Sequence, residues 1–292
     1  MANLKEIRVR ITSVNSTMQI TSAMKMVSAA KLKRAQDKIT RMRPYAEKLS
    51  EILSNVSSSL DSSDGKFSAQ REVKNVLVVA ITSNRGLAGG FNNNVTKEIR
   101  TLMNQGELKG KNVKILSLGK KAFDLYKKTD NHTTDGFNET PYSIFDSLTY
   151  EKVSEIADEI MKQFAAGKYD KVVLVYNKFK NAAVQILVTE PYLPVVPTQS
   201  EGKATKTDYI FEPEKEKIID ELIPRSLKVQ LFKALLDSNA SEHGARMTAM
   251  HKATDNAGDL VKELKLTYNK ARQAAITGEI LEIVAGAESL KG

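Results

Sequence analysis

The stretch "LKEIRVRITSVNSTMQITSAMKMVSAAKLKRAQDKITRM", Leu4 to Met42, repeats apolar residues at alternating steps of three and four. One series is Leu4, Ile11, Met18, Lys25, Leu32, Ile39, Ala46, Leu53 and Leu60. The other is Ile7, Val14, Thr21, Ser28, Ala35, Met42, Leu49 and Val56, and 14 of these 17 positions are apolar. Such spacing keeps an apolar stripe aligned with a partner helix, so the segment reads as one strand of a left-handed coiled coil. At about 1.5 Å per residue it would reach roughly 85 Å if unbroken. Pro44 predicts a kink or weak turn near Arg43, because proline lacks the N–H and crowds the preceding turn.

The polar seam members Thr21, Lys25 and Ser28 fall together in "ITSAMKMVSAAK". Two readings stand: a polar patch that sets helix register, or a place where something other than the partner helix faces the chain.

From about Glu214 a second long helix is predicted, with a seam through Met250, Ala253, Ala257, Leu260, Leu264, Thr267, Ala271, Ala274, Gly278, Leu281 and Ala285. Small residues dominate it and allow close approach. Its last stretch, "AITGEILEIVAGAESL", is apolar on nearly every side but for its glutamates, and a helix end of that kind should sit inside something. Both long helices join the same middle segment, one entering and one leaving, so they pair antiparallel or not at all. Neither can bury its stripe alone, and mutual pairing is the economical arrangement.

Between them "NVLVVAITS" is a short β-branched run, followed by the glycine-rich "NRGLAGGFN" and the helical "VTKEIRTLMNQ". "KNVKILSLG" and "KAFDLYKK" repeat the theme, "LTYEKVSEIADEIMKQFAA" is a third helix, and "YDKVVLVYNKF" and "AAVQILVT" are two further strands. The alternation predicts a largely parallel, Rossmann-like sheet. Residues 129–147 and "PYLPVVPTQSEGKATKTD" read as loops. The organisation is therefore α/β: an N-terminal shaft helix (1–60), an inserted Rossmann-like domain (61–213) and a C-terminal shaft helix (214–292), the two shafts forming an antiparallel coiled coil.

Chemistry is sparse. There is no cysteine, which removes disulfides, zinc-thiolate sites and thiol nucleophiles. Gly86, Gly89 and Gly90 do not fit G-x-G-x-x-G, and "GELKGKN" is one residue short of a Walker loop and lacks the hydroxyl after its lysine. "SEHGARMTAMHKATDNA", Ser241 to Ala257, holds two of the three histidines. On a helix, however, Ser241 and His243 point about 200° apart and cannot share a proton. His251 and Asp255 can pair at i,i+4, yet no spacing there supplies a metal set or H-E-x-x-H. Neither a catalytic site, a metal nor a cofactor is expected.

The net charge of +9 is uneven: residues 1–60 carry 11 Lys and Arg against 4 acids, whereas 214–292 carry 12 of each. A basic first helix suits an acidic partner. The start has no apolar core of a secretory signal and no run approaches the roughly 18 apolar residues of a membrane span, so a soluble intracellular protein is expected. A nucleotide-dependent Rossmann-like enzyme and a basic coiled-coil nucleic-acid binder remain as rival readings. The first lacks a phosphate loop, and the second has only 6% aromatic residues and a neutral second helix.

Two long helices around an inserted α/β domain, with "RITSVNSTMQITSAMKMVSAAKLKRAQ", "SNRGLAGGFN", "SEHGARMTAMHKATDNA" and "ITGEILEIVAGAES" in that order, resemble the gamma subunit of F-type ATP synthases of bacterial type over essentially the whole chain. Asn84 and Ala88 stand where that family commonly has Asp and Cys, and His251 where an acid is common; the cysteine-bearing insertion of the chloroplast form is missing. The resemblance implies a non-catalytic rotor shaft that couples rotation of a proton-driven membrane ring to conformational cycling of catalytic subunits. It implies as partners the alpha and beta subunits of the catalytic ring, the epsilon subunit and the ring of c subunits, with no nucleic acid and no nucleotide bound directly. It implies a peripheral position on the cytoplasmic face of the bacterial cell membrane, in keeping with a start at Met1 without a transit peptide. By the same resemblance Met24 and Lys25 contact the catalytic subunits, Arg246, Arg272, Gln273, Thr277 and Glu279 form polar catches with the surrounding ring, and Tyr209, Phe211 and Glu212 belong to the foot that meets the rotor ring.

Overall fold

A computed structural model describes residues 4–57, 66–69, 71–137, 141–195 and 215–289. Its elements are α1 (Leu4–Ser57), β1 (Asn75–Ile81), α2 (Phe91–Asn104), β2 (Asn112–Leu118), α3 (Lys120–Tyr126), a 3₁₀ turn (Pro141–Asp146), α4 (Tyr150–Ala165), β3 (Lys171–Phe179), β4 (Gln185–Leu193) and α5 (Lys215–Ser289). The chain divides into two compact units, one of Ala29–Arg246 and one of Met1–Ser28 with Met247–Gly292.

In the larger unit the four strands lie in the order β2-β1-β3-β4. β1 pairs parallel with β2 and with β3, and both of its faces are covered. That is why "VLVVAI" is apolar without alternation. Leu77, Val79 and Ile81 face a core closed by α4 and by Ile223, Leu227, Leu231, Ala234 and Leu235 of α5. Val76, Val78 and Ala80 face the opposite core, which Val95 and Ile99 of α2 and Ala122 of α3 fill. The unit thus takes in part of each long helix, because residues of α5 complete one of its two cores.

The sheet is largely parallel, as expected, and β4 runs antiparallel to β3. Only the residues 180–184 separate the two strands, too few for the crossover that a parallel partner needs. Within the stretch expected as loop, Pro141–Asp146 forms a 3₁₀ turn and His132 bridges to Ile115 at the outer edge of β2.

In the smaller unit the first half of α1 packs antiparallel to the second half of α5. Arg8 Nη2 donates to Tyr268 Oη at 2.9 Å, Met18 Sδ lies 3.8 Å from where a Cβ on Gly258 would sit, and the hydroxyls of Thr21 and Thr254 are 2.8 Å apart. The contacts climb one helix as they descend the other. Every described seam position of α1 is buried or half-buried. α1 continues as helix through Pro44. Thr21 is buried and bonded across the seam, and Ser28 is buried with its Oγ donating to the Met24 carbonyl at 2.7 Å. At Thr21 the polar patch is therefore part of the helix pairing, as in a register-setting contact.

Gly119, between β2 and α3, has φ of 123°, and a Cβ there would run into the Thr82 carbonyl. G119A is expected to cost at least about 3 kcal/mol from strain and collision together, read as a lower urea midpoint with an unchanged slope.

Candidate functional site

In an open α/β sheet, ligands bind beyond the carboxyl ends of the strands where the connections reverse direction. Here the chain passes from β1 out to β2 and then back across β1 to β3, so that point lies between the loop after β1 and the loop after β3. The first loop is held from several sides. Ser83 N–H donates to Asn92 Oδ1 at 2.9 Å, Lys120 N–H to Asn84 Oδ1 at 3.1 Å, Lys121 N–H to the Ser83 carbonyl at 3.1 Å, and Asn84 Nδ2 to Asp146 Oδ1 at 3.0 Å.

What α5 places against these loops decides what they can bind. Arg246 Nη2 donates to the carbonyls of Arg85 at 3.1 Å and Gly86 at 3.2 Å, while Nη1 donates to Glu242 Oε1 at 2.6 Å. Ala245 packs with Ala88 and Phe91. Gly244 passes so close to the loop after β3 that a Cβ would stand 3.0 Å from the Ala182 carbonyl. A phosphate needs N–H donors. This glycine-rich loop turns two carbonyl acceptors inward, and a guanidinium already holds them.

The charges are correspondingly out of water. Burial pushes the Glu242 carboxyl up, although Arg246, Lys31 and Arg85 pull it the other way. His243 is driven down to about 4 by burial, with Arg246 and Lys31 adding to the shift. Asp237 is 1% exposed, and burial outweighs Lys233, Arg43 and Lys178 in raising its carboxyl. Ser241 Oγ and His243 Nδ1 have no hydrogen-bond partner among the described residues, so these two side chains form no relay. His251 Nδ1 and Asp255 Oδ2 lie 3.2 Å apart on the helix surface. The Glu242–Arg246 pair went unread in the sequence, although its i,i+4 spacing was visible.

The residues expected to touch partners are distributed unevenly. Met24 and Lys25 are half-buried on α1. Arg272, Gln273, Thr277 and Glu279 are exposed on α5, where Gln273 and Thr277 share a face and so do Arg272 and Glu279. Arg246 is buried at 7% exposure and faces inward. Tyr209, Phe211 and Glu212 lie outside the described residues. No helix among the described residues is long and apolar enough to cross a membrane.

One unit is thus an α/β domain whose crevice is filled by Arg246, and the other is a pair of antiparallel helices. A sequence profile described as ATP synthase matches residues 3–290. The ATP synthase gamma chain of Flavobacterium johnsoniae is 62% identical over 294 residues, covering 100% of both chains, and that of Christiangramia forsetii is 59% identical with the same coverage. Among solved structures, a central stalk/c-ring chain of the Tetrahymena thermophila mitochondrial ATP synthase matches with a TM-score of 0.55 and 26% identity, over 80% of this chain and 99% of that one. A Euglena gracilis mitochondrial ATP synthase chain shares the fold, with a TM-score of 0.64 at 20% identity over 98% of this chain and 94% of that one. The chain belongs to the gamma-chain family of F-type ATP synthases, whose role is that of the central rotor shaft and which is not a catalytic subunit.

Two expectations follow. Calorimetric titration of the purified chain with MgATP should be flat, and micromolar binding at one site would mean that the loop after β1 can reverse its peptides. For His243, a pKa lowered in the folded chain means that the unfolded state binds more protons between about pH 6.5 and 4, so its contribution to stability is present above that window and lost as pH falls through it. Asp237 and Glu242, shifted upward, act in the opposite sense, so the useful quantity is the difference between the wild type and H243Q. That difference should grow in favour of H243Q from pH 7 to pH 5 in urea unfolding, and a constant difference would show that His243 is not held neutral.

Proposed function

We propose that this chain transmits rotation by presenting different faces of its paired helices to a surrounding ring of alpha and beta subunits, each orientation favouring a different conformation of each catalytic subunit. The observation that carries this reading is the end of α5. α1 begins at Leu4, opposite the turn that holds Arg272 in the antiparallel register, and α5 continues to Ser289. On that extension Ile276, Ile280, Leu281, Ile283 and Val284 are 45–71% exposed. An apolar cluster of this kind marks a protein contact. We read the ring as its cover, with Gln273, Thr277, Arg272 and Glu279 as polar catches at the base of the extension. Met24 and Lys25 are proposed as contacts of α1, and the exposed Lys31, Lys33 and Arg34 suit acidic loops of the catalytic subunits.

Tyr209, Phe211 and Glu212 are proposed to belong to the foot that meets the epsilon subunit and the c ring, at the cytoplasmic face of the bacterial membrane. Arg246 is the one proposed ring contact whose buried, inward geometry does not favour that role.

The test uses the cysteine-free background. Q273C paired with a cysteine on the facing loop of a catalytic subunit should form a disulfide when their Cβ atoms come within about 3.5–4.5 Å. Oxidation should abolish multisite ATP hydrolysis and proton-coupled synthesis together, and reductant should restore both. Full turnover with the crosslink intact on a gel would show that this helix does not turn against the ring.

A further inference from the structure

The loop after β1 is tied to α2 through Asn92 and to α3 through Lys120 and Lys121, and each tie stays inside the α/β layers. From α5 the polar tie is Arg246, whose Nη2 reaches two consecutive carbonyls while Nη1 is held by Glu242 one turn earlier. Its Nε also points at the Gly86 carbonyl, at 3.4 Å. A planar fork with fixed donors suits this geometry, whereas a lysine could satisfy only part of it. Beyond the gripped carbonyls the backbone of Leu87 is left-handed, φ 63°, with the side chain 64% exposed, a conformation that persists only where neighbours impose it. Arg246 is also the last residue of α5 that belongs to the compact α/β unit.

We infer that Arg246 is an internal clamp, a positioning residue that locks α5 to the loop after β1, so that turning force passes between the α/β unit and the shaft helix through it. The guanidinium bonds to Glu242, Arg85 and Gly86 of its own chain, and its place in a polar stretch of the shaft reflects this internal grip and not a contact with the ring. The force-carrying consequence rests on the rotor-shaft role; the grip itself does not.

The experiment uses the full synthase complex carrying R246Q or R246K and takes two measurements on each. The first is hydrogen exchange at the Phe91, Lys120 and Lys121 amides, which the loop holds through the Ala88 carbonyl, Asn84 Oδ1 and the Ser83 carbonyl. The second is the number of protons pumped per ATP hydrolysed. Loss of the charged hydrogen bonds should speed exchange about ten- to a hundred-fold in R246Q, with β1 and β3 unchanged, and pumping should fall in the same variant. R246K should lie between R246Q and the wild type in both. Unchanged exchange in R246Q overturns the clamp, and lost pumping beside a quiet loop would make Arg246 a ring contact. Faster exchange with full pumping overturns it as well, leaving a contact that serves the fold alone. If R246Q does not assemble, R246K decides by the same two measurements. Failure of the wild-type complex to pump would count against the rotor reading instead, and the exchange data would still judge the grip.

Discussion

An apolar helix stripe cannot stay in water, and in this chain each long helix covers the other as far as α1 reaches. Ile7, Leu32, Ala35, Ile39 and Leu49 are buried on α1, and Met250, Ala257, Val261 and Leu264 on α5. At roughly 25 cal/mol per Å² removed from water, such burial stabilises long helices far more than intrinsic propensity does. The same constraint explains the exposed end of α5. α1 begins at Leu4, and beyond that height α5 runs on with Ile276, Ile280, Leu281, Ile283 and Val284 exposed.

The α/β unit answers a different constraint. Its glycine-rich loop sits where related architectures hold phosphate, but Arg85 and Gly86 offer acceptors to the crevice and Arg246 meets them. Burying the Glu242–Arg246 pair is costly: desolvation raises the Glu242 carboxyl even with a guanidinium 2.6 Å away. Buried ion pairs seldom raise stability above that of an apolar replacement, whereas removing one partner is expensive. What such a pair supplies here is geometry, since a fork with both hands engaged allows one orientation of the loop on the helix.

The elements with one dominant period were legible in the sequence. The α1 seam, the unbroken apolar run of β1 and the antiparallel sense of the two helices follow from spacing and connectivity alone. The largely parallel sheet was legible too, and the antiparallel sense of β4 was carried by the short link 180–184. Pro44 lies inside α1, where helix packing on either side outweighs the loss of one hydrogen bond. Arg246 was singled out from the sequence, but not the direction it takes: its position on an exposed-looking polar stretch does not say which way it points. Asp237 was missed for a related reason, since an acid on a helix is normally solvated and only the packing around it removes the water.

Register in the rod needs its own explanation, because the α5 seam is poor in shape. Ala253, Ala257 and Gly258 allow close approach to α1 but discriminate weakly between one alignment and its neighbour. Large interlocking side chains would fix the alignment by volume; small ones cannot. The hydroxyl pair Thr21–Thr254 and the Arg8–Tyr268 contact do so by hydrogen bonding and cation–π attraction. If the helices slid by one turn, the bond between the two threonine hydroxyls would be lost, at about 0.5–1.5 kcal/mol, each hydroxyl keeping only the carbonyl of its own helix, Met18 or Met250. A shaft made of small residues can therefore be thin without slipping, provided that a few polar contacts at fixed heights carry the register that its apolar contacts leave open.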